Sequence, residues 1–432
     1  MRFLIALFLL VAGPALAGPQ IQHWVAPTGA KVYFVENRGL PILDVNIDFV
    51  AGGARAAADK AGLAGMTAGL LDAGFKTAEQ EMDEEQIAAR LVDLAVRFSS
   101  GADHDKASVS LRTLSAPEER QGALALMRAI LAAPTFPEDA LAREKARTSA
   151  ALKEAETRPE SVVAKRFAAA MYGEHPYGRQ ATPESVANIA RADLVDFHRR
   201  HYVARNAVVS ILGDVSRAEA EAIAVQLTEA LPAGAPVAPL PAVTPPQATA
   251  LRIAHPATQA HIRVGLPAVK RSMERDYFAL LVGNYTLGGG GFVSRLMKEV
   301  REKRGFAYSV YSTFTPRVLE GPFEIGLQTR RDQAGAALEV VNAVLKDFLA
   351  RGPTAEELAA AKKNLIASQA LRIDSNAKLL GYLSLIGFHG LPLDYLDQLP
   401  QRIAAVTRAD VIAAFRRHIR PEHLVTVVVA GE

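Results

Sequence analysis

The chain has 432 residues, 50% of them hydrophobic and 22% charged, which is enough apolar material for more than one core and unlike a disordered chain. Its 49 basic and 46 acidic residues leave a formal net charge of only +3, without a basic block or an aromatic-interleaved basic stripe, so no nucleic-acid partner is expected. It contains no cysteine, which excludes disulfides, thiolate metal ligands and a cysteine nucleophile.

Residues 1–17 read MRFLIALFLLVAGPALA. One arginine precedes an apolar run from Phe3 to Ala12, Pro14 breaks it, and Ala15-Leu16-Ala17 gives a small-x-small cleavage site. The pattern is that of a secretory signal peptide cut after Ala17, and the run is too short to span a bilayer. No later segment reads as a membrane span. A cysteine-free exported chain of this size fits a bacterial periplasm.

The first half, residues 18–230, opens with β-branched, alternating segments at Lys31–Val35 and Ile42–Val50. Leu63, Met66, Leu70 and Leu71 then fall on one face of a helix. The adjacent face carries Gly65, Ala68 and Gly69, at i, i+3 and i+4. Two glycines inside a helix cost about 1 kcal/mol each relative to alanine, which points to a close backbone approach or to a site under no selection. Helical periodicity continues at Glu84–Leu94, Ala123–Ala133 and Asp139–Glu156. Between them, Asp103-His104-Asp105 alternates with Ser108 and Ser110 and reads as the start of a strand rather than a metal site. His175 lies in HPYGR (175–179), read as a turn. The helix RADLVDFHRRH (Arg191–His201) follows, with His198 and His201 expected as solvated charges compensating its dipole, then the apolar strand AVVSILGD (Ala207–Asp214).

Leu231–Ala250, LPAGAPVAPLPAVTPPQATA, has six prolines and no charge, and is read as an extended linker. The second half, residues 251–432, begins with a strand at Ile262–Leu266. Four glycines, Gly288–Gly291, permit unusual backbone angles and a close approach by another chain. Val293, Leu296, Met297 and Val300 form one apolar stripe, so Ser294–Arg304 is predicted as an amphipathic helix, ended by Gly305 and followed by a strand over Phe306–Phe314. Helices are expected at Ala336–Ala350 and from Ala355 to about Leu371. RADVIAAFRRH (Arg408–His418) and the strand LVTVVVAGE (Leu424–Glu432) close the half as RADLVDFHRRH and its strand close the first. That match in order and spacing reads as an internal repeat. The expected fold is α+β: two duplicated halves, each an antiparallel-rich sheet packed with helices, facing each other across the linker.

The stretch Gly288–Ser312, GGGGFVSRLMKEVREKRGFAYSVYS, resembles the second-half signature of the insulinase/pitrilysin family of zinc peptidases, the inverzincins. HPYGR, the Gly213-Asp214-Val215 end of the first half and the closing strand extend the resemblance over nearly the whole chain. In that family an arginine and a tyrosine seven residues later stabilise the oxyanion formed as water attacks a peptide carbonyl. The resemblance assigns those roles to Arg301 and Tyr308, and peptide binding to Gly288, Gly289, Gly290, Gly291 and Phe292. The family's first-half motif is H-x-x-E-H, and here those positions are Gly65, Ala68 and Gly69. Its third ligand, a glutamate, aligns near Ala150 or Ala151, with Glu154 and Glu156 read as solvated helix charges. The resemblance therefore implies a chain that binds no zinc, the partner of a zinc-bearing H-x-x-E-H sister as in mitochondrial processing peptidase and bacterial two-subunit peptidases. Its rival is a catalytically inactive peptide-binding or scaffold protein of the same fold.

Overall fold

The computed structural model describes residues 20–431; the signal peptide expected at 1–17 lies outside them. The strands run β1 (Gln22–Val25), β2 (Lys31–Glu36), β3 (Ile42–Phe49), β4 (Gly74–Lys76), β5 (Glu81–Asp83), β6 (Arg97–Ala102), β7 (Ala107–Leu114) and β8 (Ala207–Gly213) in the first half. The second half has β9 (Thr249–Ala254), β10 (Gln259–Val269), β11 (Ala307–Phe314), β12 (Gly321–Arg330) and β13 (Val425–Ala430). The helices of the first half are α1 (Leu63–Gly69), α2 (Glu84–Asp93), α3 (Pro117–Ala132), α4 (Glu138–Ala155), α5 (Pro159–Tyr172), α6 (Pro183–Ala187), α7 (Arg191–His201) and α8 (Arg217–Thr228). Those of the second are α9 (Arg275–Asn284), α10 (Ala334–Arg351), α11 (Ala355–Ala367), α12 (Asn376–His389), α13 (Tyr395–Ala405) and α14 (Arg408–His418).

The duplication read from the sequence is present in the sheets. The first has the order β1-β2-β8-β3-β7-β6 and the second β11-β12-β10-β13-β9. In each, the strand after the Arg-Ala-Asp helix inserts centrally, parallel to one neighbour and antiparallel to the other: β8 between β2 and β3, β13 between β9 and β10. The repeated residues have matching tasks. Arg191 donates to the carbonyls of Thr135 and Phe136, just past α3; Arg408 donates to those of Arg351 and Pro353, at and just past the end of α10. Asp193 and Asp410 each accept the amide of the residue preceding their helix. His418 bonds the Ala268 carbonyl near the end of β10, and His201 rests on the Val50 backbone at the end of β3.

The histidines of α7 differ from expectation. His198 is buried, its Nε2 is 2.9 Å from the Leu131 carbonyl oxygen, and its ring stacks on Tyr202. Burial pushes its pKa down to about 4; burial, Arg55 and Arg200 do the same for His201. Both are neutral packing groups rather than solvated charges, because α7 turns this face into the core instead of to water. Asp103–Asp105 is also corrected: it is the turn between β6 and β7, not a strand start. Asp103 Oδ1 caps the turn by accepting the amides of Asp105 and Lys106.

The halves do not merely face each other; they exchange helices. α5 of the first half lies on β13 and β10 of the second. Its stripe of Val162, Val163, Phe167 and Met171 packs with Val425, Val427 and Val429, while Val428 and Ala430 face the opposite core. In return, α12 covers β8, β3 and β2, joining Tyr33, Val35, Val208 and Leu212 to the second-half core while Val209 and Ile211 stay in the first. Both strands are buried on two faces, which is why they read as apolar runs interrupted by a single polar residue each, Ser210 and Thr426. Polar groups cross the seam as well: Ser384 of α12 donates to the fully buried Asp48, which also accepts from Lys106 at 2.9 Å. The proline-rich segment has no regular structure from Pro232 to Ala248, and its last two residues begin β9.

Candidate functional site

Arg301 and Tyr308 belong to two short elements joined at Gly305. The predicted helix over Ser294–Arg304 is present but is wound differently. Met297–Glu302 is π-helical, with the Lys303 amide bonding the Lys298 carbonyl, and the chain before it, Gly291–Val293, is a 3₁₀ turn. A π segment widens the turn by one residue and re-aims the side chains that follow. Gly305, at φ +64°, ends it, and the Phe306 amide returns to the Val300 carbonyl.

β11 then starts irregularly. Ala307 pairs with Thr329 but Val310 pairs with Leu327, so Tyr308 and Ser309 together oppose one residue of β12. This bulge turns two successive side chains outward, and Tyr308 is 85% exposed. Its ring comes back over the preceding element: the Arg301 guanidinium carbon is 4.8 Å from the ring centre of Tyr308 and 4.8 Å from that of Phe292. No carboxylate pairs with Arg301 among the described residues, in contrast to Arg295, Lys303 and Arg304 of the same segment.

The glycine segment is more closed than its sequence implies. A Cβ on Gly288 would lie 2.4 Å from the Ser312 nitrogen, one on Gly289 2.6 Å from Asn284 Nδ2, and one on Gly290 2.6 Å from the Tyr285 oxygen. Three of the four glycines thus serve a close approach of the protein's own chain. Only Gly291, at φ +61° with open space beside it, is free on that side, and it turns the chain so that Phe292 projects. Asn284, which sequence reasoning missed, ties the parts together: its Nδ2 donates to the Ser312 carbonyl and its Oδ1 accepts the Ser312 hydroxyl. A lone asparagine at a helix end gives no signal of this; the contact exists only once β11 is placed.

These residues line an open groove of about 480 Å³, in which Arg301 is the only formally charged lining residue among the described residues. Ser309 and Tyr311 are shared with an adjoining groove of about 340 Å³ that holds Glu160, His261 and Arg263. Arg263 donates to the Tyr311 hydroxyl and pairs with Glu324, so the arginine of this second region, unlike Arg301, has a carboxylate partner.

The other half of the motif is chemically empty. α1 is present but ends at Gly69; Leu63 and Met66 are buried on it, and Leu70 and Leu71, expected on the same helix, are buried just past its end. Gly65 and Gly69 are exposed, and a Cβ on either would meet nothing within 4 Å, so neither glycine serves the close backbone approach considered above. Ala68 is buried, and its carbonyl accepts the Ser100 hydroxyl of β6. Ala150 and Ala151 sit on the exposed face of α4, and Glu156 is paired with Lys165. Among the described residues no group of three or more His, Asp or Glu side chains is arranged to hold a metal. Hydrogen and methyl side chains offer zinc no donor, so these residues do not fit the family's metal.

Comparison with known proteins finds two profiles of one family along the chain. Residues 41–183 match the family profile described as insulinase (peptidase family M16), and residues 188–365 the one described as peptidase M16 inactive domain. A crystal structure described as a peptidase M16 inactive domain from Pseudomonas fluorescens is 37% identical, with a TM-score of 0.90 over 95% of this chain and 98% of that one. The chain belongs to peptidase family M16. A Helicobacter pylori protein named as the non-peptidase homolog YmxG is 25% identical, over 100% of this chain and 99% of its own length. The periplasmic protease PqqL of Escherichia coli shares the fold, with a TM-score of 0.80 at 16% identity, over 96% of this chain and 46% of PqqL. Several other curated relatives, named as uncharacterized zinc proteases, are matched over about half their length. No helix among the described residues is long and apolar enough to cross a membrane.

Proposed function

We propose that this chain is the zinc-less subunit of a periplasmic two-subunit metallopeptidase. In it, Arg301, Tyr308 and the Gly288–Phe292 segment bind a peptide and stabilise the oxyanion of its hydrolysis, and a sister subunit with an H-x-x-E-H motif supplies zinc. One observation carries the reading: Arg301 and Tyr308 lie together on an open groove, and Arg301 has no carboxylate partner among the described residues. A cation kept unpaired at a groove is suited to charge that develops on a bound group. The guanidinium and the phenol both donate hydrogen bonds and neither needs to change its protonation to do so. The signal-peptide-like pattern of residues 1–17 supports export.

The second reading is a scaffold or peptide-holding protein of the same fold. It is favoured by the glycine segment's closure on its own chain and by α1's lack of any donor.

The test is recovery of the chain from its native cell envelope. A sister of similar length with H-x-x-E-H is expected to accompany it, and the pair to cleave peptides. In that pair Arg301→Ala should lower kcat/KM by about 100- to 1,000-fold, and Tyr308→Phe by a comparable factor. Cleavage that survives both changes would assign the chain to the scaffold reading. Chelator-sensitive proteolysis by the isolated chain would overturn both.

A further inference from the structure

The reading above gives Phe292 only a share in the peptide-binding segment, yet its position is more specific than that. It is 65% exposed, which is unusual for a phenylalanine, and it stands at the tip of the 3₁₀ turn that Gly291 makes possible with its φ of +61°. Its ring meets the Arg301 guanidinium at the same 4.8 Å distance as does the ring of Tyr308. Three separate local devices converge on this arrangement: the left-handed glycine that projects Phe292, the π-helical turn that carries Arg301, and the bulge that swings Tyr308 back.

We infer that Phe292 is a positioning residue: with Tyr308 it clamps the Arg301 side chain, leaving the guanidinium's N–H groups to meet the bound peptide. The role rests on the hydrolytic function proposed above, but the clamp is a property of this chain by itself. An arginine has several rotatable bonds and, with no carboxylate partner, nothing else to fix it. Two aromatic faces hold a guanidinium without consuming its hydrogen bonds, because they attract its charge through the ring quadrupole and leave its donors unused. A salt bridge would hold it equally well but would neutralise the charge and occupy the donors that a developing oxyanion needs. This accounts for the absence of a carboxylate beside Arg301 in a segment whose other arginines are paired. It also explains an exposed phenylalanine: the ring faces a side chain, not a core.

Two measurements test it. In the isolated chain, the Arg301 side-chain Nε–Hε resonance, assigned with Arg301→Lys, should show a ring-current shift and restricted motion. Phe292→Leu should remove much of both, and Phe292→Tyr should keep them. A resonance unaffected by Phe292→Leu overturns the clamp. In the assembled pair, Phe292→Leu should lower kcat by about tenfold with KM changed less than twofold, and Phe292→Tyr should restore the rate. Because Phe292 acts through Arg301, Phe292→Leu should cost nothing further in an Arg301→Ala background. Additive losses, or a change confined to KM, would make Phe292 a peptide contact and overturn the positioning role. A pair that is inactive while the resonance behaves as expected would overturn the hydrolytic function and leave the clamp standing.

Discussion

His198 and Phe415 hold the same place in the two copies of the repeated helix, and both are buried. One copy put a hydrocarbon there, the other an imidazole whose pKa is pushed down to about 4 by burial. Because the folded value lies below the ordinary 6.5, the unfolded chain binds the extra proton between those limits. The stability is therefore whole above about pH 6.5 and falls as the pH drops toward 4. One such histidine contributes a slope of up to about 1.4 kcal/mol per pH unit. His198→Phe, copying the second half, should make the stability curve between pH 5 and 6 shallower by about that amount. At neutral pH it should cost about 1 kcal/mol for the lost bond to Leu131. Denaturant titrations at several pH values read both; an unchanged slope would mean His198 is not buried neutral. At this scale the sequence was least legible. HRRH looks like a solvated basic helix end, and only the neighbour it packs against decides otherwise. Arg301 and Tyr308 were legible as a spaced pair, but their contact depends on a π turn and a bulge, which leave no periodic mark.

At the level of elements, the apolar runs Ala207–Gly213 and Val425–Ala430 and the Arg-Ala-Asp helices were readable from pattern alone, because a strand buried on both faces is apolar at nearly every position, Ser210 and Thr426 being the exceptions. The partner of each strand was not readable: that α5 and α12 cross to the other half is a matter of topology. α12 shows how closely the exchange is fitted. A Cβ on Gly387 would lie 2.5 Å from a Val208 methyl and 2.7 Å from the Tyr33 ring, whereas one on Gly381 of the same helix would meet nothing. Gly387→Leu should therefore destabilise the protein by about 1–3 kcal/mol by wedging α12 off the first sheet. Gly381→Ala, a control on the exposed face, should stabilise by up to about 1 kcal/mol. Thermal melts of the two variants, moving in opposite directions, would establish the fit; equal shifts would refute it.

For the whole molecule, the proline-rich linker looked like the joint between two bodies. The exchanged helices α5 and α12 give the halves a second connection, made by packing rather than by chain. Protease nicking within residues 233–247 should leave a complex that elutes as the intact chain on gel filtration and separates only in denaturant. Halves that part in native buffer would show that the exchanged helices contribute little. The duplicated sheets, the degenerate α1 and the surviving groove are all consistent with a chain that keeps one side of a peptidase chamber.

The reciprocal placement of α5 also constrains how the protein is made. The valines that cover its apolar stripe belong to β13, far later in the chain, so no early segment can complete the first half by itself. While the polypeptide is being synthesised, Phe167 and Met171 lack the β13 valines that cover them in the finished fold. Until the last strand docks, that stripe is apolar surface open to wrong contacts.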